Sequence, residues 1–180
     1  MPIQTNDSQK VKIDYEMFTD DEYQQIHLFL ATELDHSTAE INREVWDSRL
    51  FEGTQGHTEI TIIEDEWLTD LIINRMIERF NTTLDISKYN VMLYKSQGLY
   101  NVNWHDDGDY AGAASIYLNK YWNRTLGGYF IYQMSHQDVM TAIQPKQGTA
   151  VYQQGGVLHA TTPVALNAPN RLSIQVFVNE

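Results

Sequence analysis

His105 and Asp107 stand two residues apart, His159 follows far downstream, and Arg171 opens the alternating stretch Arg171–Val178. Two imidazoles and a carboxylate can bind a metal ion, and a guanidinium can hold an anion beside it. In a strand, residues two apart project to the same face. His105 and Asp107 are therefore expected to reach one ion while Asp106 points away. A third ligand must come from elsewhere, because no second imidazole lies two or four residues from His105. Two histidines and one carboxylate on one face of a metal, with the other positions open, suit non-haem Fe(II) and oxygen chemistry. Zinc hydrolases use the same ligand types, so the set alone does not name the metal.

Arg171 tips the choice. Leu172, Ile174, Val176 and Val178 share one face of the C-terminal stretch, while Arg171, Ser173 and Phe177 share the other. That second face makes poor sense in solvent and good sense in a pocket. An arginine presents a rigid fork that binds a carboxylate through two parallel hydrogen bonds, and Ser173 adds a hydroxyl donor. The expectation is an iron oxygenase with an anionic co-substrate.

These residues must be carried by a scaffold. Thr19 and Glu22 fit a capping box, and Phe18 with Tyr23 fits the accompanying hydrophobic staple, so a helix should open here and continue through Ile26, Leu30 and Leu34. A second helix is expected over Glu66 to Phe80, with Leu68, Leu71, Ile72, Met76 and Phe80 on its buried stripe. The pattern then changes to short strands at about 89–95, 101–107, 113–118, 128–134, 148–152, 157–161 and 171–178. Helices first and strands later point to an α+β protein, and many short strands suit a double-sheet jelly roll with the helices bracing one sheet. Residues 42–60 mix aromatics, charge and glycine without a period. They are expected to form a long loop or hairpin, either a lid over the site or a plain solvent loop.

Composition narrows the classes. The 180 residues suit a single domain, with no linker, repeat or low-complexity stretch. A net charge of −12 from 24 acidic and 12 basic residues disfavours a nucleic-acid-binding protein. The absence of cysteine excludes disulfides and thiolate ligands. The opening residues lack a secretory signal, and no apolar run is long enough to span a bilayer, so a soluble cytoplasmic enzyme is expected. Oligomeric state is not readable.

The ordered set Tyr94, Trp104-His105-Asp106-Asp107, Tyr117-Leu118-Asn119, Trp122, Gly127-Gly128, Pro145–Val151, His159-Ala-Thr-Thr-Pro-Val and Arg171-Leu-Ser173 resembles the Fe(II)/2-oxoglutarate-dependent dioxygenases, nearest their prolyl 4-hydroxylase-like branch. The resemblance covers roughly residues 89 to 178. It implies a double-stranded β-helix core over about 89–178, with a supporting helical part over about 1–88. It also implies Fe(II) held by His105, Asp107 and His159, with 2-oxoglutarate and O2 as co-substrates and ascorbate as a supporting reductant. Arg171, Tyr94 and Ser173 would bind 2-oxoglutarate, with Arg171 and Tyr94 on its distal carboxylate. From the residues themselves, Trp104, Tyr117, Trp122 and Arg124 are read as a substrate pocket, with aromatic core packing the alternative for the first three. The implied reaction is hydroxylation of an unactivated C–H bond, first of all in a prolyl residue of a peptide or protein, with release of succinate and CO2. A free amino acid or small metabolite is the alternative substrate.

Departures bear on the substrate. Many members carry an acidic residue after the paired glycines, where Tyr129 stands here. The animal collagen enzymes use a lysine where Arg171 stands, whereas the oxygen-sensing prolyl hydroxylases have arginine. Asp107 keeps the carboxylate that halogenase relatives give up. His27, His36, His57 and His136 are read as surface or structural histidines, and Asp106 and Asp109 as turn residues, with Asp106 able to support the ligands. A cupin-like metal-binding barrel and a metal-free scaffold are the competing classes. The first has no use for Arg171 with Ser173, and the second predicts no metal at all.

Overall fold

The computed structural model describes residues 4–6, 10–32, 50, 52–133 and 140–180. Its elements, in chain order, are β1 (Gln4–Asn6), β2 (Val11–Asp14), α1 (Asp20–Thr32), β3 (His57–Ile62), α2 (Glu66–Phe80), β4 (Tyr89–Gln97), β5 (Val102–His105), β6 (Gly112–Tyr117), β7 (Phe130–Gln133), β8 (Met140–Ile143), β9 (Ala150–Gln154), β10 (His159–Thr161) and β11 (Arg171–Val178). Seven strands form one antiparallel sheet in the order β1-β2-β9-β6-β11-β4-β3, and four form a second in the order β5-β10-β7-β8. The fold is the α+β double-stranded β-helix.

Local chemistry explains both helices. At the start of α1 the Thr19 N–H donates to Glu22 Oε2 at 2.8 Å, while Glu22 N–H reaches back to Thr19 Oγ1 at 3.3 Å. The Phe18 and Tyr23 rings meet edge to face at 5.3 Å, so the capping box and the staple both form. Leu34 lies outside the described residues. For α2, the Asp65 carboxylate accepts the Leu68 N–H at 2.8 Å, and Asn81, at φ 54°, closes the far end by donating to the Ile77 carbonyl. Asp65→Ala should lower stability by about 1 kcal/mol. A chemical denaturation midpoint that falls with an unchanged slope would register it.

The helices cover the large sheet, as the alternation of β11 requires. Ile174, Val176 and Val178 join Ile26, Leu68, Ile72, Met76 and Phe80 in one apolar cluster. Leu71, expected on the buried stripe of α2, is only half-buried, and Ile73 takes a full share. The opposite face of β11 carries Arg171, Ser173, Gln175 and Phe177 toward the small sheet. Between the sheets a second cluster of Val11, Ile13, Tyr117, Phe130, Tyr132, Ile143, Val151 and Val157 closes one side.

The N-terminal part is less helical than expected. β1, β2 and β3 extend the large sheet at its two edges, β2 beside β9 and β3 beside β4. Each is short or mixed in polarity: β3 reads His-Thr-Glu-Ile-Thr-Ile and is only partly buried, a pattern without clean alternation. β8 was likewise not anticipated. Of residues 42–60, those at 42–49 and 51 lie outside the described residues, and 57–60 belong to β3. Among the described residues, no helix is long and apolar enough to cross a membrane.

Candidate metal centre

Pairing of β5 with β10 sets His105 directly opposite His159, with ring centroids 4.1 Å apart. Asp107 arrives by a different route from the one expected. β5 ends at His105, and Asp107 sits in a turn at φ 50°, the left-handed region that aspartate tolerates better than most residues. Strand alternation therefore does not place it; a turn swings its carboxylate back onto the imidazoles. That turn is fixed by backbone bonds from Tyr110 N–H to the Asp107 carbonyl at 3.0 Å and from Gly156 N–H to the Asp106 carbonyl at 2.8 Å. Gly155 allows this approach, since a Cβ there would lie 2.1 Å from the Tyr110 carbonyl oxygen. Asp106 is exposed and its carboxylate accepts the Gly108 N–H, as a turn residue should.

The Asp107 carboxylate lies 3.4 Å from His105 Nε2 and 3.3 Å from His159 Nε2. One ligand atom from each of the three residues falls within 4.8 Å of the others, so the group could hold a metal ion. Hydrogen bonding supports this. His105 Nδ1 is 2.8 Å from the Asn103 carbonyl and His159 Nδ1 is 2.7 Å from the Val157 carbonyl. A carbonyl only accepts, so each Nδ1 carries the proton and each Nε2 turns a lone pair toward the common point. Burial first, and then the neighbouring His159, hold the His105 imidazole below its ordinary pKa and favour its neutral form. Burial alone would raise the Asp107 carboxyl. The neighbouring His159 and His105, together with the Gln153 amide that donates to the carboxylate, outweigh it and keep the group below the usual range. Neutral imidazoles and an ionised carboxylate are the forms that bind metal.

The surrounding pocket is walled by Tyr94, Tyr100, Ser115, Gln153, Arg171 and Gln175, among others. Arg171 is 3 % exposed and its guanidinium lies 5.2 Å from the Tyr117 ring centre. Among the described residues no carboxylate pairs with it, and its Nε and Nη2 have no hydrogen-bond partner. Burying a charge without a counter-charge is costly, so an anion entering the pocket would find a cation able to pair with it. Tyr94 and Tyr100 share the pocket; burial pushes both phenols well above their ordinary pKa, so they remain O–H donors.

Other candidates fall elsewhere. Ser173 is fully buried and its hydroxyl accepts the Gln175 amide at 3.0 Å, beside the pocket rather than in its wall. Tyr117 is fully buried beneath Arg171. Trp122 is buried and donates its indole N–H to the Gly127 carbonyl at 2.9 Å. Trp104 is 42 % exposed, pointing away from the side that His105 faces, and Arg124 is exposed in a 3-10 turn. None of these four aromatic or basic residues lines the pocket. His27 bonds Gln147 at 2.9 Å, His57 starts β3, and His36 and His136 lie outside the described residues. Sequence reasoning passed over Tyr100, Ser115, Gln153 and Gln175. Alternation from Arg171 and Ser173 points to Gln175, whereas Gln153 is disclosed only by the pairing of β9 beside the site.

A jelly roll that converges two imidazoles and a carboxylate near a buried guanidinium, with no carboxylate partner among the described residues, fits a non-haem iron oxygenase scaffold. The family model of the 2OG-Fe(II) oxygenase superfamily matches residues 89–179, just over half of the chain, and the protein belongs to that superfamily. It is accordingly a 2-oxoglutarate-dependent dioxygenase, with Fe(II), 2-oxoglutarate and O2 as its requirements. Solved structures share the fold. A prolyl-4-hydroxylase of Pseudomonas putida is 15% identical, with a TM-score of 0.67 over 95% of this chain and 92% of that one. A prolyl hydroxylase from Trichoplax adhaerens, in complex with a peptide fragment of the hypoxia inducible factor oxygen degradation domain, is 15% identical, with a TM-score of 0.71 over 96% and 84%. The non-haem α-ketoglutarate-dependent epimerase SnoN of nogalamycin biosynthesis is 11% identical, with a TM-score of 0.62 over 94% and 78%. No curated protein matches the chain by sequence.

Proposed function

We propose that the protein hydroxylates an unactivated C–H bond of a prolyl residue in a peptide or protein, using His105, Asp107 and His159 as iron ligands and Arg171 as the co-substrate anchor. The carrying observation is the buried guanidinium of Arg171, which has no carboxylate partner among the described residues and shares one pocket with the three ligands. Two neutral imidazoles and one carboxylate leave an Fe(II) site with a single net positive charge. With Arg171 the pocket then carries two, which matches a dicarboxylate. Fe(II) held by His105, Asp107 and His159 would supply the redox chemistry in which O2 is consumed, one oxygen atom going to succinate as 2-oxoglutarate loses CO2 and the other to the C–H bond. The chain contributes position: Arg171 and the Tyr94 phenol hold the distal carboxylate, and the sheet walls keep water out. No side chain need act as a general base.

Prolyl specificity is supported by likeness to two solved prolyl hydroxylases, one holding a peptide. Incubating pure protein with Fe(II), ascorbate, 2-oxoglutarate and a panel of proline-containing peptides tests it. The expected result is a peptide heavier by one oxygen, with matching succinate. Succinate formed with a small metabolite and with none of the peptides would replace the prolyl assignment; no succinate and no binding of 2-oxoglutarate would remove the oxygenase roles given to these residues.

Gly128 gives a separate prediction. It lies at φ +67°, and a Cβ there would come within 2.9 Å of Arg171 Cδ and 3.2 Å of Val164 Cγ2. Gly128→Ala therefore strains the backbone by about 1–2 kcal/mol and pushes the Arg171 stem. Calorimetry should show weaker 2-oxoglutarate binding, while metal affinity stays near that of the wild type.

A further inference from the structure

Gln153 is the one amide side chain among the described residues that touches the ligand group. It lies on β9 in the middle of the large sheet, in register with Ala113 on one side and Val11 on the other, and is 3 % exposed. Its Nε2 stands 3.4 Å from Asp107 Oδ2 and 3.4 Å from His159 Nε2. An ionised carboxylate accepts and cannot donate, so the nitrogen end of the amide must face Asp107. The second contact competes with a metal. An ion at the common point takes the His159 Nε2 lone pair, and the amide N–H then keeps Asp107 as its acceptor.

Counting positions shows what that bond does. A six-coordinate ion with three protein atoms and a co-substrate bound through two oxygens has one place left for dioxygen. An aspartate gripping the ion through both oxygens would fill it. We infer that Gln153 is a positioning residue of the metal centre: its amide donates to Asp107 and holds that carboxylate to binding through one oxygen. The inference rests on the ligand roles proposed above. β9 suits the task, because a central strand paired on both sides gives the side chain a fixed origin.

Infrared difference spectra of the wild-type protein, with and without Fe(II) under anaerobic conditions and with 13C-labelled aspartate, read the binding mode from the splitting of the two carboxylate stretches. The splitting of a carboxylate bound through one oxygen is expected. Gln153→Met, of similar length but without the donor, should move the splitting toward two-oxygen binding. It should also lower turnover of the metal-loaded protein about tenfold to a hundredfold, the usual effect of removing an outer partner, while 2-oxoglutarate still binds, because the position lost is the one left for dioxygen. A wild-type splitting of the two-oxygen kind, or unchanged splitting in the variant, overturns the inference. If Gln153→Met does not fold, the wild-type spectrum decides. A wild-type protein that binds neither Fe(II) nor 2-oxoglutarate would instead overturn the proposed function.

Discussion

Arg171→Met should raise the 2-oxoglutarate concentration needed for half-maximal turnover roughly 30-fold to several-thousand-fold. Truncating one partner of a buried, hydrogen-bonded charge pair costs about 2–5 kcal/mol, and each 1.4 kcal/mol is a factor of ten. Iron affinity should change little, because Arg171 is not among the three residues that gather around the common point. Stability supplies a second readout. Among the described residues nothing partners the buried guanidinium at Nε and Nη2, so an apolar side chain of similar length should cost little and even stabilise the metal-loaded, co-substrate-free protein. 2-Oxoglutarate should raise the melting temperature of the wild type by mass action and leave that of the variant nearly unmoved. An unchanged requirement for 2-oxoglutarate would move the anchor to another residue.

Asp107→Asn should abolish turnover and reduce iron affinity by more than about 100-fold, the upper end of what loss of a mere outer partner costs. Asparagine is the right test because of the backbone. At φ 50° an alanine would add strain of its own, whereas asparagine visits this region readily. The substitution thus removes the charge and keeps the turn. Anaerobic titration with Fe(II) measures the loss, and a melting temperature near that of the wild type shows that the turn survives. An Asp107→Asn protein that binds iron and turns over normally would refute the ligand assignment.

The three-residue cluster and the buried arginine beside it are legible in the sequence because they depend on residue type and spacing, and spacing survives when the route is misread. His105 and Asp107 were expected to share a strand face, yet the strand stops at His105 and a left-handed turn brings the carboxylate round. Both geometries bring the two side chains to one place. The helices were legible for a local reason, since the Thr19–Glu22 box and the Phe18–Tyr23 staple are complete within six residues. What escaped depends on contacts distant along the chain. β3 is an edge strand with mixed polarity, recognisable only from its partner β4. Gln153 is the clearest case: in sequence it is one of two adjacent glutamines, and only the folding of β9 against the ligand turn gives it two of the three ligands as neighbours. Trp104 shows the converse, an aromatic beside a ligand that alternation sends to the outside.

The carbonyls of Asn103 and Val157 that set the two imidazoles belong to the main chain. Every amino acid placed at those two positions supplies the same oxygen, so point mutation there leaves the tautomers of His105 and His159 as they are. Drift can recolour the walls and change what the enzyme accepts, while the orientation of its nitrogen donors is inherited with the path of the polypeptide.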